Sequence, residues 1–396
     1  MKDFVNSRMP FLISFIVLLL VIGFPRIYGT EVPMAVVLIP FFIMGFMKFI
    51  LSKSWVFFGI FGVGSLWIIG GVFSFMNGNG TFADLFFHFI LSFKMILNFF
   101  FGYVIYIVLK RNISVLLAWL VFQLFIIVLS MYSEAVYSFL LGFISPRSAE
   151  VFQYIFGLRA LGFGLFHMDG ALLLVIAVFY YLLVAQSSVF KGLVLILFLP
   201  ISMAIARSAL VPYLIFGLFR RGVYIKASLI SAAIIMFVIA LYATSGPLFE
   251  ATELFRNMLN NGELSSKSVT HLSTMFVWPQ SVSTWLFGDG QYFDHQTDSL
   301  SFYMLTDVGF LRVLYFSGLF SVFIFILLNL YYLFALLFSS KYHGSREIKL
   351  FSISLILLFI VINFKGIQLM PLFSMVLYMY ALDMKNLSCT SNKNRR

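Results

Sequence analysis

The stretch VGFLRVLYFSGLFSVFIFILLNLYYLFALLF, residues 308–338, carries one charged side chain, Arg312, in an otherwise oily run. Wound as a helix at about 1.5 Å per residue, it reaches beyond the roughly 30 Å of a bilayer's hydrocarbon core. Only helix can sit there, because lipid offers backbone N–H and C=O groups no partner. Working outward, the same pattern recurs over Phe11 to Phe24, Val32 to Met47, Trp55 to Phe73, Leu85 to Leu109, Ile113 to Ser133 and Gly170 to Ala185. It continues over Gly192 to Ala206, Ser208 to Phe219, Ala227 to Ser245, Leu350 to Phe364 and Gln368 to Leu382. The expectation is one all-α transmembrane domain over 1–396, a polytopic integral membrane protein of about 12 helices.

Composition excludes the alternatives. The chain is 62% hydrophobic and 10% charged, with a mean hydropathy of +1.04, where soluble domains run near 45–50% apolar and about 25% charged. Phe11 to Phe24 follows Lys2 and Arg8 in the manner of a secretory signal, but Pro25, Arg26 and Tyr28 come next instead of a small-residue cleavage site. It reads as a retained first helix. The one cysteine, Cys389, allows neither an internal disulfide nor a cysteine metal cluster.

Alternating the spans from a cytoplasmic N-terminus collects most of the 26 basic residues on one side, among them Lys48, Lys53, Lys110, Arg111, Lys191, Arg220, Arg221, Lys341 and Lys385. Of the 15 acids only Asp3, Glu347 and Asp383 join them. This satisfies the positive-inside rule and places both termini in the cytoplasm. It also accounts for the net charge of +11. With no basic, aromatic-interleaved soluble domain, a nucleic-acid partner is not expected.

The inner loops are too short for a catalytic domain, so chemistry belongs to the outer face. Two outer loops are long, about 134–169 and 246–307, and loops of that size in a helical bundle call for a function. Arginines dominate the remaining cations: Arg26, Arg147, Arg159, Arg207, Arg256 and Arg312. A guanidinium offers a permanent charge and a planar fork that fits phosphate oxygens two at a time.

Arg207 is the sharpest of them, interrupting an apolar stretch between two short spans. An intramembrane charge is functional by default, the alternatives being a snorkelling turn residue or a structural ion pair. Arg159 opens the glycine-containing segment Arg159-Ala-Leu-Gly-Phe-Gly-Leu-Phe-His-Met-Asp-Gly170. His167 and Asp169 there make a poor metal site, and a plain helix-start turn reads equally well.

The second loop carries Glu250, Glu253 and Arg256 at a spacing that suits one face of a short helix. Beyond it come Trp278, Trp285 and Tyr292 near carboxylates and amides, a combination that suits sugar rings; the membrane-interface aromatic belt is the alternative, favoured for Trp278. Asp289, Asp294, His295, Asp298 and Asp307 form the densest run of potential bases. A hydroxyl nucleophile needs such an acceptor. Asp289 reads better as a solvating loop acid, whereas His295, Asp298 and Asp307 lean toward function.

Three patches carry a resemblance: Arg159 to Gly170, the helix pair broken at Ala206-Arg207-Ser208, and Leu286-Phe287-Gly288-Asp289-Gly290 followed by Thr306-Asp307-Val308-Gly309-Phe310-Leu311-Arg312 and by Gly318 opening the next helix. Together with the full-length layout, they resemble the Wzy-type O-antigen polymerases, in the larger group that also holds the O-antigen ligases. The ligase-like pattern has a histidine eleven residues before the glycine matched by Gly309. Here Asp298 occupies that position, His295 lies three residues earlier, and Asp307 fits the pattern's acid, which argues for polymerase over ligase.

The resemblance implies a GT-C-like glycosyltransferase of the bacterial inner membrane with its site facing the periplasm. A glycan on undecaprenyl diphosphate would pass to the non-reducing end of a second lipid-linked repeat unit. Arg159, Arg207, Arg147, Arg256 and Arg312 would bind diphosphate, and Trp285, Tyr292 and Glu253 would bind glycan. His295, Asp298 or Asp307 would take the hydroxyl proton in a single, inverting displacement. No cofactor or metal is implied; membrane lipid and a chain-length regulator protein stand among the partners. The rival from another class is a lipid-linked oligosaccharide flippase, with an O-antigen ligase as the nearer alternative.

Overall fold

The computed structural model describes residues 9–184, 188–219, 222–262, 274–295, 301–338 and 346–393. The first helices are α1 (Phe11–Val21), α2 (Ile39–Leu51), α3 (Val63–Asn77), α4 (Phe82–Arg111), α5 (Ser114–Tyr132), α6 (Glu134–Leu141), α7 (Pro146–Phe152) and α8 (His167–Val184). They are followed by α9 (Ser188–Ile205), α10 (Leu210–Phe219), α11 (Val223–Tyr242), α12 (Gly246–Ala251) and α13 (Glu253–Asn261). The last are α14 (Val282–Phe287), α15 (Gly309–Phe338), α16 (Arg346–Ile362) and α17 (Pro371–Lys393).

Among the described residues no strand forms, and the only extended pairings are isolated bridges, Arg26 with Pro33 and Phe293 with Phe302. Among the described residues seven helical stretches are long and apolar enough to cross a membrane: Met34–Leu51, Trp55–Asn77, Phe82–Arg111, Ser114–Tyr132, His167–Val184, Val223–Tyr242 and Gly309–Phe338. Shorter apolar helices cover Phe11–Val21, Phe190–Ile205, Arg207–Phe219 and Pro371–Met384. The protein is all-α and membrane-embedded, and every apolar run of the sequence overlaps a helix.

The long segments between spans are also built from helices. Ser133 and Ser145 accept from the backbone N–H groups of Val136 and Ser148 at 3.3 and 3.2 Å, capping α6 and α7. Pro146 occupies the first turn of α7, where a missing N–H costs nothing. Where the spacing of Glu250, Glu253 and Arg256 predicts one short helix, the chain forms two. Thr252 separates α12 from α13, so Glu250 ends one and Glu253 starts the other.

The chain divides into two compact units, Met1–Phe42 with Val104–Ser266, and Ile43–Tyr103 with Lys267–Arg396. In the first, α9 packs on α8 and α11, α1 packs on α5, and α12 and α13 lie against α9 and α11 respectively. In the second, α15 is the central element and touches α3, α14, α16 and α17.

The second unit holds the main departure from a plain bundle. The stretch expected as one helix from Val308 is interrupted at Ser317 (φ −138°) and Gly318 (φ 74°). The interruption frees the carbonyls of Tyr315 and Phe316, which accept from Asp289 N–H at 2.6 Å and Gly290 N–H at 3.1 Å. Gly288 and Gly318 both have positive φ, and a Cβ on either would run into the other segment's backbone. The Leu286-to-Gly290 motif and the glycine of α15 are two halves of one joint.

Candidate functional site

In the first unit, Arg159 sits in the irregular segment between a 3-10 turn at Gln153–Ile155 and α8. Irregular backbone that is buried keeps its place only when neighbouring protein supplies its hydrogen bonds. Here α5 does so with its buried polar residues. Gln123 accepts from Phe163 N–H at 3.0 Å and donates to Phe163 O at 3.2 Å, while Ser130 Oγ accepts from Leu161 N–H at 2.9 Å. Ala160 N–H donates to Ala204 O at 3.0 Å, which ties the arginine's segment to the last turn of α9.

Arg207 follows immediately, in a 3-10 turn (Arg207–Ala209) between α9 and α10. Its guanidinium forms an ion pair with Glu253 at the start of α13. Arg256, one turn further along α13, lies 3.2 Å over the Phe249 ring and donates to Phe249 O and to Thr252 Oγ1. Burial draws the Arg159 guanidinium below its ordinary value, Arg207 adds to that and Glu250 opposes it. Burial does the same to Arg256, with Glu250 opposing and Arg207 reinforcing. Arginine starts so high that each stays charged. Three guanidinium groups and two carboxylates thus share one neighbourhood, with an excess of positive charge.

Arg147 is exposed on α7 and, among the described residues, makes no ion pair with this cluster. His167 and Asp169, in the first turn of α8, are exposed as well.

In the second unit, Asp84 is the hub. It stands in the first turn of α4, where the helix dipole favours an anion, and its side chain is 0% exposed. Oδ1 accepts from Tyr292 N–H at 2.6 Å and Phe293 N–H at 3.0 Å. Oδ2 accepts from Thr81 N–H at 2.8 Å and Thr81 Oγ1 at 3.0 Å, and meets His295 Nε2 at 2.5 Å. Residues 289–295 therefore form a strap from the break in α15 to the start of α4. Asn79 N–H donates to Asp289 O at 2.9 Å, and Gln291 Nε2 to Asn79 O at 2.9 Å.

Nothing in the loop motifs singles out Asp84. The signal available was the pattern Thr81-x-x-Asp84 ahead of an apolar run, a capping box that marks a helix start.

Tyr292 corrects an expectation. Its ring is fully buried, stacked on Phe316 at 4.2 Å between centroids, with its hydroxyl 3.2 Å from His88 Nδ1. It packs the strap against α15 and presents no face to a sugar. His88 completes the stack between Trp67 and Phe316, at 4.6 and 4.9 Å.

Arg312 is likewise enclosed. Its guanidinium lies 3.4 Å over Phe302 and 3.7 Å from Asp307 Oδ1, and the side chain is only 8% exposed against 42% for Asp307. Structural contacts occupy this arginine more than they offer it to an anion. Asp289 accepts from Thr284 Oγ1 at 2.7 Å and Tyr303 OH at 3.3 Å, a bracing role for the joint. Burial and then the Asp289 charge push the Tyr303 phenol up.

Trp285 donates from Nε1 to Pro279 O at 2.9 Å and stacks with exposed Trp278, planes 8° apart and centroids 5.9 Å apart. Asp298 lies outside the described residues. The structure thus gathers Arg159, Arg207, Arg256 and Glu253 in the first unit, and His295 with Asp84, and Asp307 with Arg312, in the second. No family model, no curated protein and no solved structure matches the chain.

Proposed function

We propose that the chain is a Wzy-type oligosaccharide repeat-unit polymerase, a GT-C-like membrane glycosyltransferase with about 12 spans. Its setting is the bacterial inner membrane, with both termini cytoplasmic and the long segments periplasmic. The observation that carries this reading is the grouping of Arg159, Arg207 and Arg256 around Glu250 and Glu253. A diphosphate leaving group develops negative charge as its bond to the sugar breaks, and preorganised cations in an oily surround stabilise that charge strongly. Glu253 holds Arg207 in position, so a phosphate would share the guanidinium or displace the carboxylate.

The remaining roles follow from chemistry. His295 accepts the proton of the acceptor hydroxyl, with Asp298 or Asp307 as the alternative bases. Trp285, stacked with Trp278, offers a flat face to a pyranose. Donor and acceptor are both lipid-linked, so neither a nucleotide sugar nor a metal is required.

A second reading, a lipid-linked oligosaccharide flippase, draws on the interrupted helices at Ser317–Gly318 and around Arg207, a feature of transporters. Full-length protein supplied with lipid-linked repeat units in detergent separates the two. A polymerase makes a ladder of longer glycans without a bilayer. Detergent samples that elongate nothing, beside vesicles that translocate the substrate, would establish the flippase instead.

A further inference from the structure

The pairing of His295 with a fully buried carboxylate from a distant part of the chain is not accounted for by any loop motif. We propose that Asp84 is the positioning residue for His295, fixing the ring as the Nε2–H tautomer and thereby offering the Nδ1 lone pair to the acceptor hydroxyl. This inference rests on the polymerase reading above.

The hydrogen bonding decides the tautomer. His295 Nε2 faces Asp84 Oδ2 at 2.5 Å and Thr81 Oγ1 at 3.1 Å. The hydroxyl proton of Thr81 is directed to Asp84 at 3.0 Å, leaving a lone pair toward the ring. Among the described residues Nε2 therefore meets only acceptors and carries the hydrogen, which in a neutral imidazole leaves Nδ1 unprotonated. Asp84 itself cannot turn away, because backbone N–H groups of Thr81, Tyr292 and Phe293 pin both its oxygens. The imidazole is 32% exposed.

In the transfer, the acceptor O–H bond breaks and its proton passes to Nδ1. The freed oxygen pair bonds the donor's anomeric carbon as the carbon–oxygen bond to diphosphate breaks, its electrons leaving on the diphosphate. Asp84 takes no proton; its charge faces the imidazolium that forms.

The test uses full-length protein in nanodiscs with 15N-labelled histidine, the His295 signals being assigned by difference from H295Q. An unprotonated Nδ1 is expected, and a protonated Nδ1 overturns the proposal whatever the activity. In polymerisation assays H295Q should lose on the order of 10²-fold or more in rate, the range of a lost general base. D84N should lose on the order of 10-fold or more in kcat with KM held within about twofold, and should lose the single-tautomer signature. Because D84N also loosens the strap, H295Q, which keeps every backbone bond to Asp84, is the variant that decides if D84N fails to fold. Full activity of H295Q in an elongating system overturns the assignment. A wild type that elongates nothing defeats the polymerase reading alone, since the tautomer measurement still judges the Asp84–His295 relation.

Discussion

In the first unit, charges of both signs meet with their side chains partly exposed, Arg207 at 21% and Glu253 at 14%. In the second, Asp84 is wholly enclosed, and four of its five donors come from its own helix cap and the strap's backbone. The same kind of residue is thus partly open to solvent in one place and wholly enclosed in the other. A charge near lipid is costly in both settings, but only in the first does the arrangement leave an excess of positive charge. The difference teaches that counting intramembrane charges does not locate a site; what each is already bonded to does.

The comparison breaks most visibly at Arg207. Arg207→Ala should reduce glycan elongation by roughly 10²–10³-fold, the usual cost of losing an oxyanion-stabilising donor, with protein still present in the membrane. Glu253→Gln removes the same ion pair while keeping the cation. Equal losses of activity and melting temperature in the two variants would reduce the pair to a structural bridge, whereas a ligand-binding arginine predicts a much larger loss for Arg207→Ala.

The joint in the second unit offers the next effect. Gly318→Val forces a β-branched residue into positive φ and a Cβ into the Leu286 carbonyl. Such strain costs on the order of 1–3 kcal/mol before the clash is counted. A clear drop in detergent melting temperature is expected, and an unshifted one would mean that the break in α15 is not needed.

Gln123→Leu tests whether α5 truly supports the arginine's segment. It strands the N–H and C=O of Phe163, at roughly 1–3 kcal/mol per buried orphan. Melting should fall, and elongation should fall further than melting explains as Arg159 loses its support. The smallest effect belongs to Tyr292→Phe. About 1 kcal/mol of stability should go with the bond to His88, and substrate KM should hold. A several-fold rise in KM would return Tyr292 to the proposed glycan site.

Much of the fold could be read from the chain because lipid removes choices. Each apolar run had to be helix, and each overlaps one among the described residues. The interruption at Arg207 was legible too, since a lone cation in an oily run announces itself. The interruption at Ser317–Gly318 is legible only through the resemblance, which has Gly318 opening a helix; composition hides it, because serine and glycine are common in membrane helices and the backbone it closes on, near Gly288, lies some thirty residues upstream. The burial of Tyr292 is hidden for a related reason: an aromatic beside polar residues looks exposed until the ring it stacks on, Phe316, is known. Asp84 is inconspicuous in the sequence because it sits at the edge of a span, where an acid reads as an ordinary helix start. Its partner His295 is 211 residues away.

That separation bears on how the protein is made. Asp84 enters the membrane with only Thr81 to satisfy it, and its remaining donors are translated after the whole stretch Val104–Ser266 of the other unit. At roughly 5–20 residues per second, the ribosome needs roughly 10–40 s to deliver them. The joint between α4 and the strap can therefore close only after residues 289–295 have been made.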